Sequence, residues 1–200
     1  MNKRAQTRFP LHDLIADRWS PRGFDQRPIE PQVLGSLLEA ARWAASCFNE
    51  QPWRFVVAPR SDSESFDRLL GCLGEGNQTW ARNAGLLMLS VARSNFSRND
   101  RPNRHAWHDV GLAVGNLSAQ ATALGLGVHQ MAGFDRELAR EQLGLPAGFE
   151  PVAMIAVGYP ADPESLPPEL AERERAPRSR RPLEEITFAG HWDKAWDPPA

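Results

Sequence analysis

The chain has 200 residues, of which 42% are hydrophobic, and a formal net charge of −2 at neutral pH. This size and apolar content predict a single globular domain over residues 1–200. The small net charge excludes a global field that would attract nucleic acid or an anionic membrane, and no apolar run approaches the roughly 18 residues that span a bilayer. The start MNKRAQTRFP lacks the apolar core of a signal peptide, so we expect a cytoplasmic protein.

The first informative segment is RWSPRGF, residues 18–24. Arg18 and Arg22, with Ser20 between them, can present two guanidinium groups and a hydroxyl to one phosphate. The ordinary alternative for Arg22 is a surface arginine after a turn at Pro21. The segment therefore indicates an anion site without proving one.

An amphipathic helix is predicted over residues 30–45, because its apolar residues repeat at helical spacing. The segment ASCFNEQPW follows it. Ser46, Asn49 and Gln51 supply donors and acceptors of the kind that read a polar ring edge. The amides of Asn49 and Gln51 could equally cap a turn before Pro52. Trp53 is interpreted as a core residue because a strand begins immediately after it.

Strands and helices then alternate along the chain. We predict strands over residues 55–58, 85–92 and 151–157, and helices over residues 61–74, 105–124 and 135–143. Ser61 and Glu64 form a capping-box pattern, and Asp135 has the position of an N-cap. This alternation indicates an α/β or α+β sandwich with one central sheet. From residue 160 the composition shifts to Pro, Glu and Arg, which is typical of an exposed arm.

Five segments, in this order, resemble motifs of the FMN-dependent nitroreductases: RWSPRGF, ASCFNEQPW, GNQTWARNAGLLMLSVA, LGLGVHQMAGFD and RSRRPLEEI. They cover nearly the whole chain. The resemblance implies an α+β sandwich with a nitroreductase-like mixed central sheet flanked by helices. It also implies an intertwined homodimer whose C-terminal arm, residues 160–200, wraps the partner. The Ala-rich helix at residues 110–123 would supply the central dimer contact, although the same pattern suits the core of a monomer.

FMN is the cofactor that the resemblance implies. Arg18, Ser20, Arg178 and Arg180 match its phosphate-binding positions, although arginines in a Pro-rich tail are ordinarily solvated. Arg22 matches the position that reaches the pyrimidine edge and tunes the ring electrostatically. The full set of implied cofactor-binding residues is Arg18, Trp19, Ser20, Arg22, Ala45, Ser46, Cys47, Asn49, Gln51, Asn77, Trp80, Gln130, Met131, Ala132, Gly133, Arg178 and Arg180.

Several of these positions carry further expectations from the resemblance. Ala45, Ser46, Cys47 and Asn49 match positions that touch the flavin bound mainly by the other subunit, which implies shared active sites. Cys47 stands where the family usually has serine, and a thiol is a weaker donor than a hydroxyl. Trp80 departs from the basic residue found near there in some relatives. The backbone of residues 130–133 should approach the ring closely at Gly133.

The implied reaction is ping-pong hydride transfer from NAD(P)H through flavin N5 to a small flat aromatic acceptor, such as a nitroarene or a quinone. The cofactor carries the electrons, so no catalytic acid, base or nucleophile is assigned. Accordingly we expect no metal site, and we interpret His129 as structural. Phe48, Trp80 and residues 93–105 are candidates for covering the ring. The alternatives are an FMN-binding protein with little turnover, or another flavin reaction such as dehalogenation or enoate reduction.

Overall fold

The computed structural model describes residues 3–196, and it confirms the α+β class. Four strands form one sheet: β1 (Trp53–Pro59), β2 (Leu86–Arg93), β3 (Gly127–Met131) and β4 (Phe149–Gly158). Seven helices surround it: α1 (Asp13–Asp17), α2 (Pro31–Arg42), α3 (Ser63–Gly71), α4 (Glu75–Ala81), α5 (Ala106–Ala123), α6 (Arg136–Gln142) and α7 (Pro168–Arg175). None of the helices among these residues is long and apolar enough to cross a membrane.

The strand order across the sheet is β1-β2-β4-β3, and every neighbouring pair is antiparallel. Trp53 at the start of β1 lies opposite Ala92, and Gly127 at the start of β3 lies opposite Gly158. The family resemblance implies a mixed sheet, but residues 3–196 contain no parallel pair of strands.

Helices cover both faces of the sheet. Strand β2 sends alternate residues to the two faces: Leu87 and Leu89 pack with α3, α4, α6 and α7, whereas Leu86 and Met88 pack with α2 and α5. All four side chains are fully buried. Burial on both faces explains why the strand is continuously apolar rather than alternating.

The helix boundaries follow local chemistry, with one correction. Asp135 caps α6 as predicted, because its carboxylate accepts the Leu138 N–H at 2.9 Å. The predicted cap of α3 at Ser61 is wrong, since Asp62 accepts the Ser65 N–H at 3.2 Å and the helix begins one residue later. The helix predicted over residues 61–74 is shorter in the structure, where α3 ends at Gly71. A separate helix, α4, begins after Gly74.

Helix α7 lies in the part of the chain that the composition describes as an exposed arm. Its residues Ala171 and Glu174 are buried, at 4% and 1% exposure. This part of the arm therefore packs on its own chain. The wrapping of a partner by the arm stays a prediction.

Candidate functional site

Three arginines from distant parts of the sequence gather at one place. Arg18 Nη1 donates to Ser20 Oγ at 3.4 Å, and Arg178 Nη1 donates to the carbonyls of Lys3 and Ala16 at 2.6 and 2.8 Å. Burial, followed by the charges of Arg178 and Arg180, lowers the pKa of Arg18. The two tail arginines therefore lie close enough to Arg18 to act on its charge, with Arg178 half-buried and Arg180 exposed.

This arginine cluster, Arg18, Arg178 and Arg180, has no ion pair with a carboxylate among residues 3–196. Asp17 favours the charge of Arg178, but Asp17 itself pairs with Arg4 at 2.8 Å. Three like charges held together without a counter-ion form a site for a multiply charged anion such as a phosphate.

The segment that carries Arg22 is held from both sides. A buried carboxylate oxygen, Glu174 Oε1, accepts the backbone N–H groups of Arg22 and Gly23 at 2.8 and 3.0 Å. His129 Nδ1 lies 2.9 Å from the Pro21 carbonyl, which can only accept, so Nδ1 carries the proton. These bonds fix the backbone of residues 21–23 against β3 and α7.

A cavity of about 830 Å³ lies beside this segment, and four of the predicted residues line it: Arg22, Asn77, Trp80 and Gly133. Asn77 Nδ2 donates to the Gly133 carbonyl at 3.1 Å, and the Gly74 N–H donates to the same oxygen at 3.1 Å. A Cβ on Gly133 would lie 3.0 Å from Asn77 Nδ2. Glycine therefore suits this close packing, and the predicted approach of its backbone to a bound ring stays a prediction.

Trp80, a core residue, faces the half-buried ring of His129. Their ring centroids are 4.6 Å apart, and Trp80 also lies 6.2 Å from Phe24. Trp80 is only 1% exposed but borders the cavity, so its expected contact with a bound ring stays a prediction. Burial lowers the pKa of His129. A neutral, hydrogen-bonded histidine agrees with the structural role expected for it.

The remaining predicted residues around this cavity and cluster differ in exposure. Trp19 is half-buried, with Lys3 Nζ at 5.3 Å from its ring centroid. Met131 is buried in the core, whereas Gln130 and Ala132 are exposed. The side chain of Met131 therefore cannot reach a ligand, and only its backbone is available.

Residues 45–51 form a separate loop with strained backbone. Phe48, Asn49 and Gln51 have φ values of 54°, 55° and 49°, in the left-handed region that non-glycine residues seldom adopt. Each such residue costs on the order of 1–3 kcal/mol, and this kind of strain clusters at functional sites. Ser46 Oγ accepts the Gln51 N–H at 3.0 Å, which closes the loop.

The side chains of this loop fill the first of the two roles left open by the sequence, the capping of a turn. Gln51 Nε2 donates to the Asn49 carbonyl and to Asn49 Oδ1 at 3.1 and 3.2 Å, so the amides do cap the turn. Ala45 and Asn49 nevertheless remain exposed, and Phe48 is 73% exposed. Arg98 Cζ lies 4.4 Å from the Phe48 ring centroid. The predicted cover residues 48 and 93–105 are therefore neighbours.

Asp109 on α5 anchors the loop. This residue is 2% exposed, and its Oδ2 accepts the Cys47 N–H at 3.0 Å. Its other oxygen lies 3.1 Å from His108 Nδ1. No group of three His, Cys, Asp or Glu residues that could hold a metal exists within the described part of the chain. Asp109 therefore acts on the loop as a hydrogen-bond acceptor.

One chain does not bring the loop of residues 45–51 together with the arginine segment, residues 21–23. Pro21 packs against Gly127, at the end of the sheet where β1 finishes with Pro59. Residues 45–51 precede Trp53, at the opposite end of β1. Since strands rise about 3.3 Å per residue, these ends are roughly 20 Å apart. The anchors also lie on opposite faces, because α7 and α5 cover different sides of the sheet.

Sequence reasoning missed three residues that shape the site: Glu174, Asp109 and Arg173, which lines the cavity from α7. Asp109 offered a weak signal, since it falls on the apolar face of a predicted helix with Ala106 and Ala113. Glu174 and Arg173 offered none. They lie in a segment rich in Pro, Glu and Arg, and Glu174 acts on residues about 150 positions away.

The sequence and the fold are both similar to those of known oxidoreductases. A model of the nitroreductase family matches residues 15–73 and 68–159. A crystal structure described as an oxidoreductase containing FMN has a TM-score of 0.90 and 39% sequence identity, and the match covers 97% of this chain and 98% of that one. The NADH dehydrogenase of Thermus thermophilus is 30% identical over 201 residues, with 86% and 91% coverage. The FMN reductase [NAD(P)H] of Bacillus subtilis is 26% identical, with 79% and 69% coverage.

Proposed function

The chain belongs to the nitroreductase family, and from that membership we propose that it is an FMN-dependent oxidoreductase that uses NAD(P)H to reduce flat acceptors such as nitroaromatics and quinones. The observation that carries the proposal is the arginine cluster, three guanidinium groups gathered without a counter-ion beside a segment whose Arg22 lines a cavity.

The residues present fit FMN. The arginine cluster would hold the phosphate, with Ser20 Oγ as a neutral partner. Arg22, fixed through its backbone by Glu174, would place a positive charge at the polar edge of the ring. Asn77 uses its Nδ2 on Gly133, which leaves Oδ1 to accept a hydrogen bond from the ligand. When bound, FMN supplies the two-electron chemistry that side chains lack.

The protein's contribution is to bind and orient, and no residue need transfer a proton. Glu174 and Asp109 hold the backbone of the two ligand-binding segments in place, so those segments are ordered before any ligand arrives. A preorganised charge at Arg22 stabilises negative charge that develops on the ligand. Alternating use of one site by donor and acceptor would give ping-pong kinetics.

We propose further that the protein is a homodimer with shared active sites. Residues 45–51 lie roughly 20 Å from the arginine segment in one chain, so they would complete the partner's site rather than their own. An exposed apolar surface supports such pairing. Trp43, Phe48, Trp107 and Leu112 are 73%, 73%, 46% and 41% exposed. Burial of these side chains would favour association.

An anaerobic visible spectrum tests the proposal. The purified protein is supplemented with FMN and separated from free flavin, and NADH or NADPH is then added. We expect retained flavin absorption near about 450 nm that bleaches with the nicotinamide and recovers with a nitroarene or a quinone. Retained flavin that never bleaches would favour a binding protein with little turnover. Absence of retained flavin would contradict the cofactor assignment. A single domain and a cytoplasmic location stay predictions from the sequence.

A further inference from the structure

Helix α7 and the residues before it form one wall of the cavity that Arg22 and Asn77 line. Five residues of this wall face the cavity: Pro167, Pro168, Glu169, Leu170 and Arg173. The position of this wall is fixed. Ala171 packs in the core, and Glu174 is buried and bonded to the backbone of Arg22 and Gly23. The backbone of Arg173 is therefore held beside the cavity.

The positive charge of Arg173 has no partner among the described residues. Its guanidinium is exposed, and it forms no hydrogen bond or ion pair with the described residues 3–196. The next arginine of the helix behaves differently, since Arg175 pairs with Glu164 at 3.8 Å and does not line the cavity. Arg173 and Arg22 are the two cations of the cavity lining.

The proposed flavin site already accounts for the other cations. The arginine cluster faces the phosphate, and Arg22 faces the ring edge. We propose that Arg173 binds an anionic group, a carboxylate or a phosphate, on the molecule that exchanges hydride with the flavin. Arg173 is thereby a specificity-determining residue. This inference rests on the proposed function and deepens it.

The chemistry of the wall supports this assignment. A guanidinium offers two parallel N–H donors that match a carboxylate or a phosphate. Glu169, one turn earlier on α7, also lines the cavity. Its negative charge would oppose an anionic ligand and compete for Arg173. Removal of the Glu169 charge should therefore have the opposite effect to removal of the Arg173 charge.

The test uses FMN-loaded protein and a pair of uncharged and charged probes. Benzoate and benzamide are titrated against the bound flavin band, and KM is measured for NADPH and NADH. The variants are Arg173→Gln, Glu169→Gln and the matched control Arg175→Gln, which removes the same charge from the same helix outside the cavity. We expect Arg173→Gln to weaken benzoate binding about tenfold and to leave benzamide binding unchanged. Glu169→Gln should strengthen benzoate binding. Arg175→Gln should bind both probes like the wild type.

The outcomes separate the source of the anion. A loss confined to benzoate assigns the anion to the acceptor, whereas a loss confined to NADPH assigns it to the phosphate of the donor. Both support Arg173 as the anion-binding residue. Identical affinities for Arg173→Gln and Arg175→Gln with all four molecules would overturn the inference. Bleaching of the flavin by NADH, measured on the same samples, tests the proposed function separately, and thermal unfolding confirms that each variant is folded.

Discussion

At the level of single residues, the protonation of His129 is set by its surroundings. His129 is half-buried between Trp80 and the Pro21 carbonyl, and this partial burial lowers its pKa from the ordinary value of 6.5. In the unfolded chain the same imidazole keeps its ordinary pKa. As the pH falls below about 6.5, the unfolded state therefore takes up a proton before the folded state does.

The stability of the folded protein should therefore depend on pH in this range. Because the unfolded state binds more protons in this window, the free energy of unfolding should fall as the pH falls from about 6.5 to the lower pKa of folded His129. His129→Asn keeps a donor for Pro21 but does not titrate, so its curve should be flatter. Urea unfolding between about pH 5 and pH 8 measures the slope. His191→Asn, which removes an exposed histidine, should keep the slope of the wild type. An unchanged slope in His129→Asn would contradict this account.

Substitution of the two tail arginines, Arg178 and Arg180, should affect FMN binding and protein stability to different extents. Arg180 bonds only the neighbouring Ser179 carbonyl, so Arg180→Gln should weaken FMN binding roughly tenfold or more without destabilising the flavin-free protein. Arg178→Gln should weaken binding and also lower the free energy of unfolding by about 1–3 kcal/mol, because it loses the bonds to Lys3 and Ala16. Flavin fluorescence titration and thermal unfolding measure the two effects.

A matched control lies next to these residues. Arg181 is exposed and lies 4.0 Å from Glu185, so Arg181→Gln changes the net charge by the same amount without touching the arginine cluster. FMN binding by Arg180→Gln as tight as that by Arg181→Gln would contradict the assignment of the phosphate site.

Among the elements, α7 acts on the site through its buried Glu174. It presents one buried carboxylate to a segment about 150 residues away in sequence, and that carboxylate satisfies two backbone N–H groups. A buried donor without a partner costs about 1–3 kcal/mol. The geometry of Arg22 therefore depends on a helix whose composition resembles that of a solvated tail.

Glu174→Ala tests this dependence. We expect the free energy of unfolding to fall by about 2 kcal/mol or more and FMN affinity to fall with it, since Arg22 loses its backbone anchor. Glu174→Gln keeps an oxygen acceptor and should restore most of the FMN affinity. Glu172→Ala changes an exposed glutamate of the same helix and should resemble wild type in both measurements. Equal FMN affinity in the two alanine variants would show that Glu174 does not position the site.

These elements also show how much the sequence could predict. The strand predicted over residues 85–92 corresponds to β2 (Leu86–Arg93). Its apolar run identified it, since a strand that is buried on both faces is mostly apolar. The cap at Asp135 followed from one local hydrogen bond. Helix α7 could not be predicted in this way, since its buried Glu174 is explained only by a partner at the other end of the chain. Likewise, the capping box at Ser61 failed because Asp62 competes for the same role.

At the scale of the whole molecule, the two groups of predicted site residues lie apart. The arginine segment and the strained loop lie at opposite ends of one sheet, and two buried carboxylates on opposite faces anchor them. The family motifs predicted both clusters from sequence, but not the distance between them. That distance is a property of the sheet, and it favours a dimer in which each chain completes the site of the other.

Subunit complementation tests this central claim most directly. One chain carries Arg18→Glu and Arg180→Glu, and the other carries Ala45→Glu, which places a charge on the exposed loop. Each variant alone should retain no FMN. Mixed dimers, purified through two different tags, should retain about one FMN per dimer, reducible by NADH, because one of their two sites has both halves intact. Mixed dimers without flavin, or an Ala45→Glu protein that binds and reduces FMN like wild type, would contradict a shared site.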